Sequence, residues 1–119
     1  MKSYMNNKEV VNKIYEAFRG RDINKMLPYI TDDFTWHING ELCASNNKEA
    51  IKQIEDERAA GVPVIDVKNM IAENDLVIAE GDCECEMKEH GLVQVNFCDV
   101  YHFENGKVKA IRAYVIGKK

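Results

Sequence analysis

Residues 93–103 carry the alternation of a half-buried strand, broken by one charge. Counting by two gives Val93, Val95, Phe97, Asp99, Tyr101 and Phe103. Successive strand side chains point to opposite faces, so these six share one face. All but Asp99 are apolar or aromatic, which places that face against a core. An unpaired carboxylate there is expensive. Asp99 must be paired, protonated or turned into a pocket. Asn105-Gly106 follows, between two apolar runs, and supplies the two positive-φ positions of a tight hairpin turn. The fold must contain a long antiparallel pair, buried on one side, with an acid in the buried side.

The rest of the chain divides at Pro63. After it come four strands in a meander, over 64–72, 76–87, 92–103 and 107–116, with turns at "END", "KEHG" and "ENGK". Before it the signals are helical. Asn6 and Glu9 form a capping box. Val10, Val11, Ile14, Tyr15 and Phe18 then recur at helical spacing, and Gly20 closes the helix. Asp22 caps a second, short helix carrying Ile23, Met26 and Leu27, which Pro28 stops. "DDFTWHI" is a short strand with Phe34, Trp36 and Ile38 on one side. Asn46 and Glu49 repeat the capping pattern, and Ala50, Ile51 and Ile54 make a third helix ending near Gly61. Helices first and an antiparallel sheet after define an α+β chain. At 119 residues it is one domain, 1–119, with a real core.

Charge and composition exclude several functions. The net charge is −4, and no basic stripe appears beyond Lys118 and Lys119. Nucleic acid and anionic membranes are not expected as partners. No segment approaches 18 apolar residues and the start, "MKSYMNNKEV", has no apolar signal, so a cytoplasmic protein is expected. Cys83 and Cys85 lie two apart on one strand and Cys98 has the opposite parity on the next. Without CxxC spacing, and with His37, His90 and His102 apart from them, the cysteines read as reduced, buried thiols and no metal is expected. There is no phosphate loop, GxSxG or HExxH, so any catalysis should be cofactor-free proton transfer.

The strand 76–87 has two distinct faces. Glu80, Asp82, Glu84 and Glu86 make one, which is solvated, paired with lysines and arginines on neighbouring strands, or a cation site. Val77, Ala79, Gly81, Cys83, Cys85 and Met87 make the other. Ala79, Gly81 and Cys83 are small, which leaves room either for a ligand or for the first helix. If the room is for a ligand, leucine at Gly81 or Ala79 should fill it at little cost.

In order and length of elements the chain resembles the nuclear transport factor 2-like superfamily, closest to its ketosteroid-isomerase-like and SnoaL-like (polyketide-cyclase-like) members. The residues that carry the likeness are "IYEAFRGRDINKMLPYITDDFTWHING", the third helix and "FCDVYHFENGKVKAIRAY". The resemblance implies a curved antiparallel or mixed sheet wrapped around three N-terminal helices into a cone. The cone holds an apolar pocket, and its outer sheet face often forms a homodimer. It implies no single activity, because the superfamily spans isomerases, cyclases, dehydratases, epoxide hydrolases and non-catalytic association domains. In ketosteroid isomerases a strand carboxylic acid stays protonated in an apolar site so that it can donate a hydrogen bond. By the likeness that acid falls on Asp99. The tyrosine expected on the first helix falls on Ile14, one residue from Tyr15. The expected base falls on Ile38, next to Asn39. The arginine and two aspartates of limonene-epoxide-hydrolase-like proteins fall on Gly81, Cys83 and Ala113, which excludes that chemistry.

The candidate catalytic residues are therefore Asp99, Tyr15 and His37. Asp99 is either a buried structural acid or a pocket acid or base tuned by desolvation. Tyr15 either sits in the core with its hydroxyl at the edge or points at Asp99. His37 is either a surface histidine or a polar group at the pocket mouth. It is adjacent to Trp36, so both face one pocket only if the strand bulges. Trp36, Ile14, Phe18, Ile38, Phe97, Tyr101, Ile111, Ala113 and Val115 are the expected cone lining and substrate contacts. Val108, Ala110, Arg112, Tyr114 and Ile116 share the outer face, a candidate homodimer surface, and His102 also faces outward. Two functions follow. One is a small-molecule-binding protein that takes a small apolar or carbonyl-containing compound, with Asp99 moving a proton in an isomerisation, cyclisation or dehydration. The alternative is a non-catalytic dimeric binding or scaffold protein, with Asp99 tied to a partner and the cone filled by side chains.

Overall fold

A side-chain cap at one end and a backbone cap at the other bound the first helix, α1 (Asn7–Gly20), in a computed structural model that describes residues 6–54 and 60–118. Asn6 accepts from the Glu9 backbone N–H at 2.9 Å and its side-chain amide donates to the Glu9 carboxylate at 3.0 Å. This closes the N-terminus as the capping box predicts. At the other end Arg21, not Gly20, takes the left-handed conformation, with φ 50°. The Arg21 N–H donates to Phe18 and the Asp22 N–H to Ala17, a Schellman closure one residue later than the glycine suggested.

The expected second helix is two 3-10 turns. Asp22 caps Ile23–Lys25 by accepting from the Asn24 N–H, and Pro28 sits inside Leu27–Tyr29. Strand β1 (Ile30–Ile38) follows. A short strand that the alternation pattern does not announce, β2 (Glu41–Ala44), pairs back on it. Its signal is Asn39-Gly40, with φ values of 51° and 87°, the same turn chemistry as Asn105-Gly106. Helix α2 (Asn47–Ile54) starts at Asn46, which accepts from the Glu49 N–H at 2.9 Å. Residues 55–59, which lead to the expected end of this helix near Gly61, and the side chain of Ile54 lie outside the described residues.

The meander is as the sequence predicts: β3 (Val64–Glu73), β4 (Leu76–Met87), β5 (Gly91–Glu104) and β6 (Lys107–Gly117). The sheet has six strands in the order β2-β1-β6-β5-β4-β3. It is mixed, because β1 runs parallel to β6 while the other neighbours are antiparallel. One face is the core. Val11, Ile14 and Tyr15 of α1 meet Val77, Tyr101 and Ile111 there, all fully buried. Among the described residues no helix is long and apolar enough to cross a membrane.

Two of the register shifts in the sheet adjust its faces. Between β5 and β6, His102 pairs with Ala110 while Phe103 pairs with Val108, so Lys109 is the extra residue. The shift turns Val108 inward, where it is fully buried, and corrects its expected place on the outer face with Arg112, Tyr114 and Ile116. Tyr114 and Ile116 do face outward and are exposed. Between β3 and β4 the register shifts between Val67 and Asn69, and β3 comes close to β4 at Gly81. A Cβ on Gly81 would stand 2.0 Å from the Asp66 carbonyl oxygen. Gly81 is small because a neighbouring backbone occupies the space, so the expected tolerance of leucine there is wrong. The four cysteines are half-buried, less enclosed than expected.

Gly81→Ala should therefore destabilise the protein by about 3 kcal/mol, at the upper end of overpacking costs, because the clash is with backbone. Urea denaturation checks this. A change under about 0.5 kcal/mol would show that β3 does not close on Gly81.

Candidate functional site

Asp99 reaches its surroundings because its cross-strand partners are small. It pairs with Ala79 on β4 and Ala113 on β6, and neither side chain covers the carboxyl group. Above it lies α1, whose buried stripe brings Tyr15 over β5. The Tyr15 hydroxyl donates to Asp99 Oδ2 at 2.7 Å. Of the two readings of Tyr15, the structure shows the one in which it points at Asp99.

Beside this pair is a cavity of about 190 Å³. Helix α1 contributes Tyr15 and Phe18, β1 contributes Trp36 and Ile38, and β5 contributes Val95, Phe97 and Asp99. Ile111, Ala113 and Val115 of β6 close the far side, and β3 and β4 add Ile65 and Cys83. Phe18 and Trp36 stack with ring centroids 5.3 Å apart, making one flat wall. The Asp99 carboxyl, the Tyr15 hydroxyl and the Cys83 thiol are the oxygen- and sulfur-bearing groups in an otherwise hydrocarbon and aromatic lining.

Burial sets the protonation states. Asp99 is only 8% exposed, and desolvation pushes its pKa up to about 6. The hydrogen bond from Tyr15 favours the carboxylate and pulls the other way. Tyr15 is held far above the ordinary phenol range, first by burial and then by the charge of Asp99. It keeps its proton, and that proton is committed to Oδ2. The other oxygen, Oδ1, has no hydrogen-bond partner among the described residues, while Asp99 lines the cavity. Behind Tyr15 stands Tyr101, with ring centroids 5.9 Å apart. Its hydroxyl is buried without a well-formed hydrogen bond, and burial raises its pKa well above the phenol range. Burial also pushes the Cys83 thiol up to about 11, so it is no thiolate near neutrality.

Several expected site residues lie elsewhere. His37 pairs in register with Arg112, between the inward Trp36 and Ile38, and so points to the outer face. The bulge beside it adds its extra residue, Cys43, to β2 and leaves the alternation of β1 intact. Asn39 is locked at the hairpin turn. It accepts from the Val115 N–H at 2.9 Å and its side-chain amide donates to the Val115 carbonyl at 3.2 Å. Ile14 and Tyr101 are fully buried core, outside the lining. Conversely Ile65 and Val95 line the cavity without having been placed there, and of the small residues Ala79, Gly81 and Cys83 it is Cys83 that lines it. Val95 was signalled by its parity with Phe97 and Asp99. Among the described residues, no three His, Cys, Asp or Glu side chains converge as a metal site would require.

A family model described as a SnoaL-like domain matches residues 11–111. No curated protein matches the chain. Solved structures do. The chain is similar to an NTF2-like protein of unknown function from Burkholderia pseudomallei, at 20% identity over 92% of this chain and 89% of that one, with a TM-score of 0.79. It is similar to a provisionally assigned SnoaL-like polyketide cyclase from a Jannaschia species, at 14% identity over 97% and 91% of the two chains, with a TM-score of 0.78. It is also similar to an epoxide hydrolase of the limonene-epoxide-hydrolase-like type from Mycobacterium tuberculosis, at 16% identity over 92% and 82%, with a TM-score of 0.79. At these identities the likeness is one of fold.

The raised pKa of Asp99 makes stability depend on pH. The folded state holds this proton up to about pH 6, whereas the unfolded chain releases it near 3.8. The contribution is complete below pH 3.8 and is lost as pH rises through 6. Asp99→Asn removes the titration and keeps an acceptor for Tyr15. Measured by denaturation, the mutant should gain about 3 kcal/mol relative to wild type between pH 4 and 6 and then run level to pH 8. A constant difference across that range would mean that Asp99 titrates as an ordinary surface acid.

Proposed function

The chain belongs to the SnoaL-like domain family, and we propose that it binds a small, mostly apolar molecule in the cavity and that Asp99 exchanges a proton with it. The observation that carries this reading is a carboxyl group, anchored by Tyr15 at 2.7 Å, on the wall of an otherwise apolar cavity. A purely structural acid would sit in a filled cone, as the scaffold alternative requires. Here open space adjoins it.

Size narrows the ligand. Drug-sized pockets run from about 300 Å³ upward, while a cavity of about 150 Å³ holds benzene. At about 190 Å³ the present cavity suits one or two rings rather than a steroid skeleton. The pKa narrows the chemistry. A group with a pKa of about 6 is ionised often enough to accept a proton near neutrality and basic enough to hold it. A carbon beside a carbonyl is a fitting donor, and its deprotonation opens isomerisation, dehydration and cyclisation. Tyr15 orients the carboxylate rather than serving an oxyanion, because its hydrogen is already on Asp99. The reactions named for structural neighbours belong to those proteins. The proton step proposed here rests on Asp99 alone.

Deuterium exchange into cyclohexenone from heavy water tests the reading. The wild type should accelerate exchange about 100-fold over Asp99→Asn, the range of a positioned general base. Ala113→Leu, which fills the cavity, should abolish the acceleration. Exchange at the buffer rate in the wild type, with no bound cyclohexenone by NMR, would refute it.

A further inference from the structure

The cavity carries an unbalanced charge. Its wall holds one carboxyl group and no lysine, arginine or histidine among the described residues. Arg19 of α1 donates to the Ile65 carbonyl at 3.2 and 3.3 Å and lies over the Tyr15 ring at 6.0 Å, outside the lining. One oxygen of Asp99 has its hydrogen bond, and the other has none among the described residues. The single hydrogen of Tyr15 is spent on Oδ2. A site built to receive an oxyanion would offer two free donors. This one offers a free acceptor on a desolvated anion, next to two stacked aromatic rings.

We infer that the cavity also takes ligands that bring their own hydrogen-bond donor, and that the fitting class is a small aromatic or alicyclic ammonium whose N–H meets Asp99 Oδ1 while its ring lies against Phe18 and Trp36. This rests on the reading of the cavity as a ligand site and adds a second ligand class, one that the Asp99 carboxylate holds as its counter-ion. An ammonium supplies the counter-charge that the wall lacks, and a charge-assisted bond in a water-poor site is about twice as strong as a neutral one. Aromatic faces add attraction for the same cation. A carboxylate ligand is repelled by the same charge. The groups facing Asp99 leave it as the titrating partner. Tyr15 comes from α1, Cys83 from β4 and Tyr101 from its own strand, and each is shifted upward and stays neutral near pH 7. Cys98 on the outer face is shifted upward as well, and β6 presents Ala113 at this register. Selection for the ammonium should fade as pH falls below about 6.

Benzylammonium chloride, benzyl alcohol and sodium benzoate, titrated into the whole protein at pH 7.5 and followed by backbone amide shifts, test this. The expected order is benzylammonium tightest, benzyl alcohol about tenfold weaker and benzoate weakest, with shifts at Phe18, Trp36 and Ala113. Asp99→Asn should remove the advantage of the ammonium over benzyl alcohol. If benzyl alcohol equals or exceeds benzylammonium in the wild type, the inference fails while the cavity remains a ligand site. If Asp99→Asn keeps the preference, the cation is held elsewhere and the inference fails. If none of the three shifts the cavity residues, both the inference and the proposed function fail.

Discussion

The 2.7 Å hydrogen bond from Tyr15 to Asp99 joins the first helix to the fifth strand across 84 residues of sequence. Three features follow from it. It sets the rotation of α1 over the sheet, because a helix turned by one residue would present Ile14 or Glu16 to the carboxyl group instead. It determines which oxygen of Asp99 remains available to the cavity. It opposes the desolvation that would otherwise raise the pKa of Asp99 further. A charge buried this deeply is tolerable only with such a partner, and the cost is reduced further by protonation below about pH 6.

Much of the fold could be read from local signals. Strand alternation and the Asn105-Gly106 turn placed β3 to β6 within a residue or two, and two Asn-x-x-Glu caps placed α1 and α2. The features that escaped depend on a partner strand. Gly81 looks like spare room until β3 is laid over it, when the Asp66 carbonyl fills the space. Val108 follows the outward parity of Arg112 until a bulge at Lys109 reverses it. Strand β2 is too short to show alternation, and only its Asn39-Gly40 turn announces it.

The site was legible in part for the same reason. Asp99 stands out because period-two parity is local information. The apolar wall of Phe97, Ile111, Ala113 and Val115 follows from that parity carried across register. Tyr15 could not be fixed, since its neighbour Ile14 shares the buried stripe and the choice depends on where the helix axis crosses the sheet. His37 and Asn39 were attractive as polar residues near Trp36. Strand geometry sends the first outward, and the second spends its side chain on the Val115 backbone. The resulting site holds a buried strand acid with Tyr15 as its hydrogen-bond donor.

The central claim is that Asp99 is a desolvated acid whose ionisation is set by burial against one tyrosine. Carbon-detected NMR of the Asp99 side-chain carboxyl, recorded from pH 3 to 9 in wild type and in Tyr15→Phe, tests it most directly. The account predicts a midpoint near 6 in the wild type and a higher one in the variant, because the lost hydrogen bond had favoured the carboxylate. A midpoint near 4, unmoved by Tyr15→Phe, would contradict it.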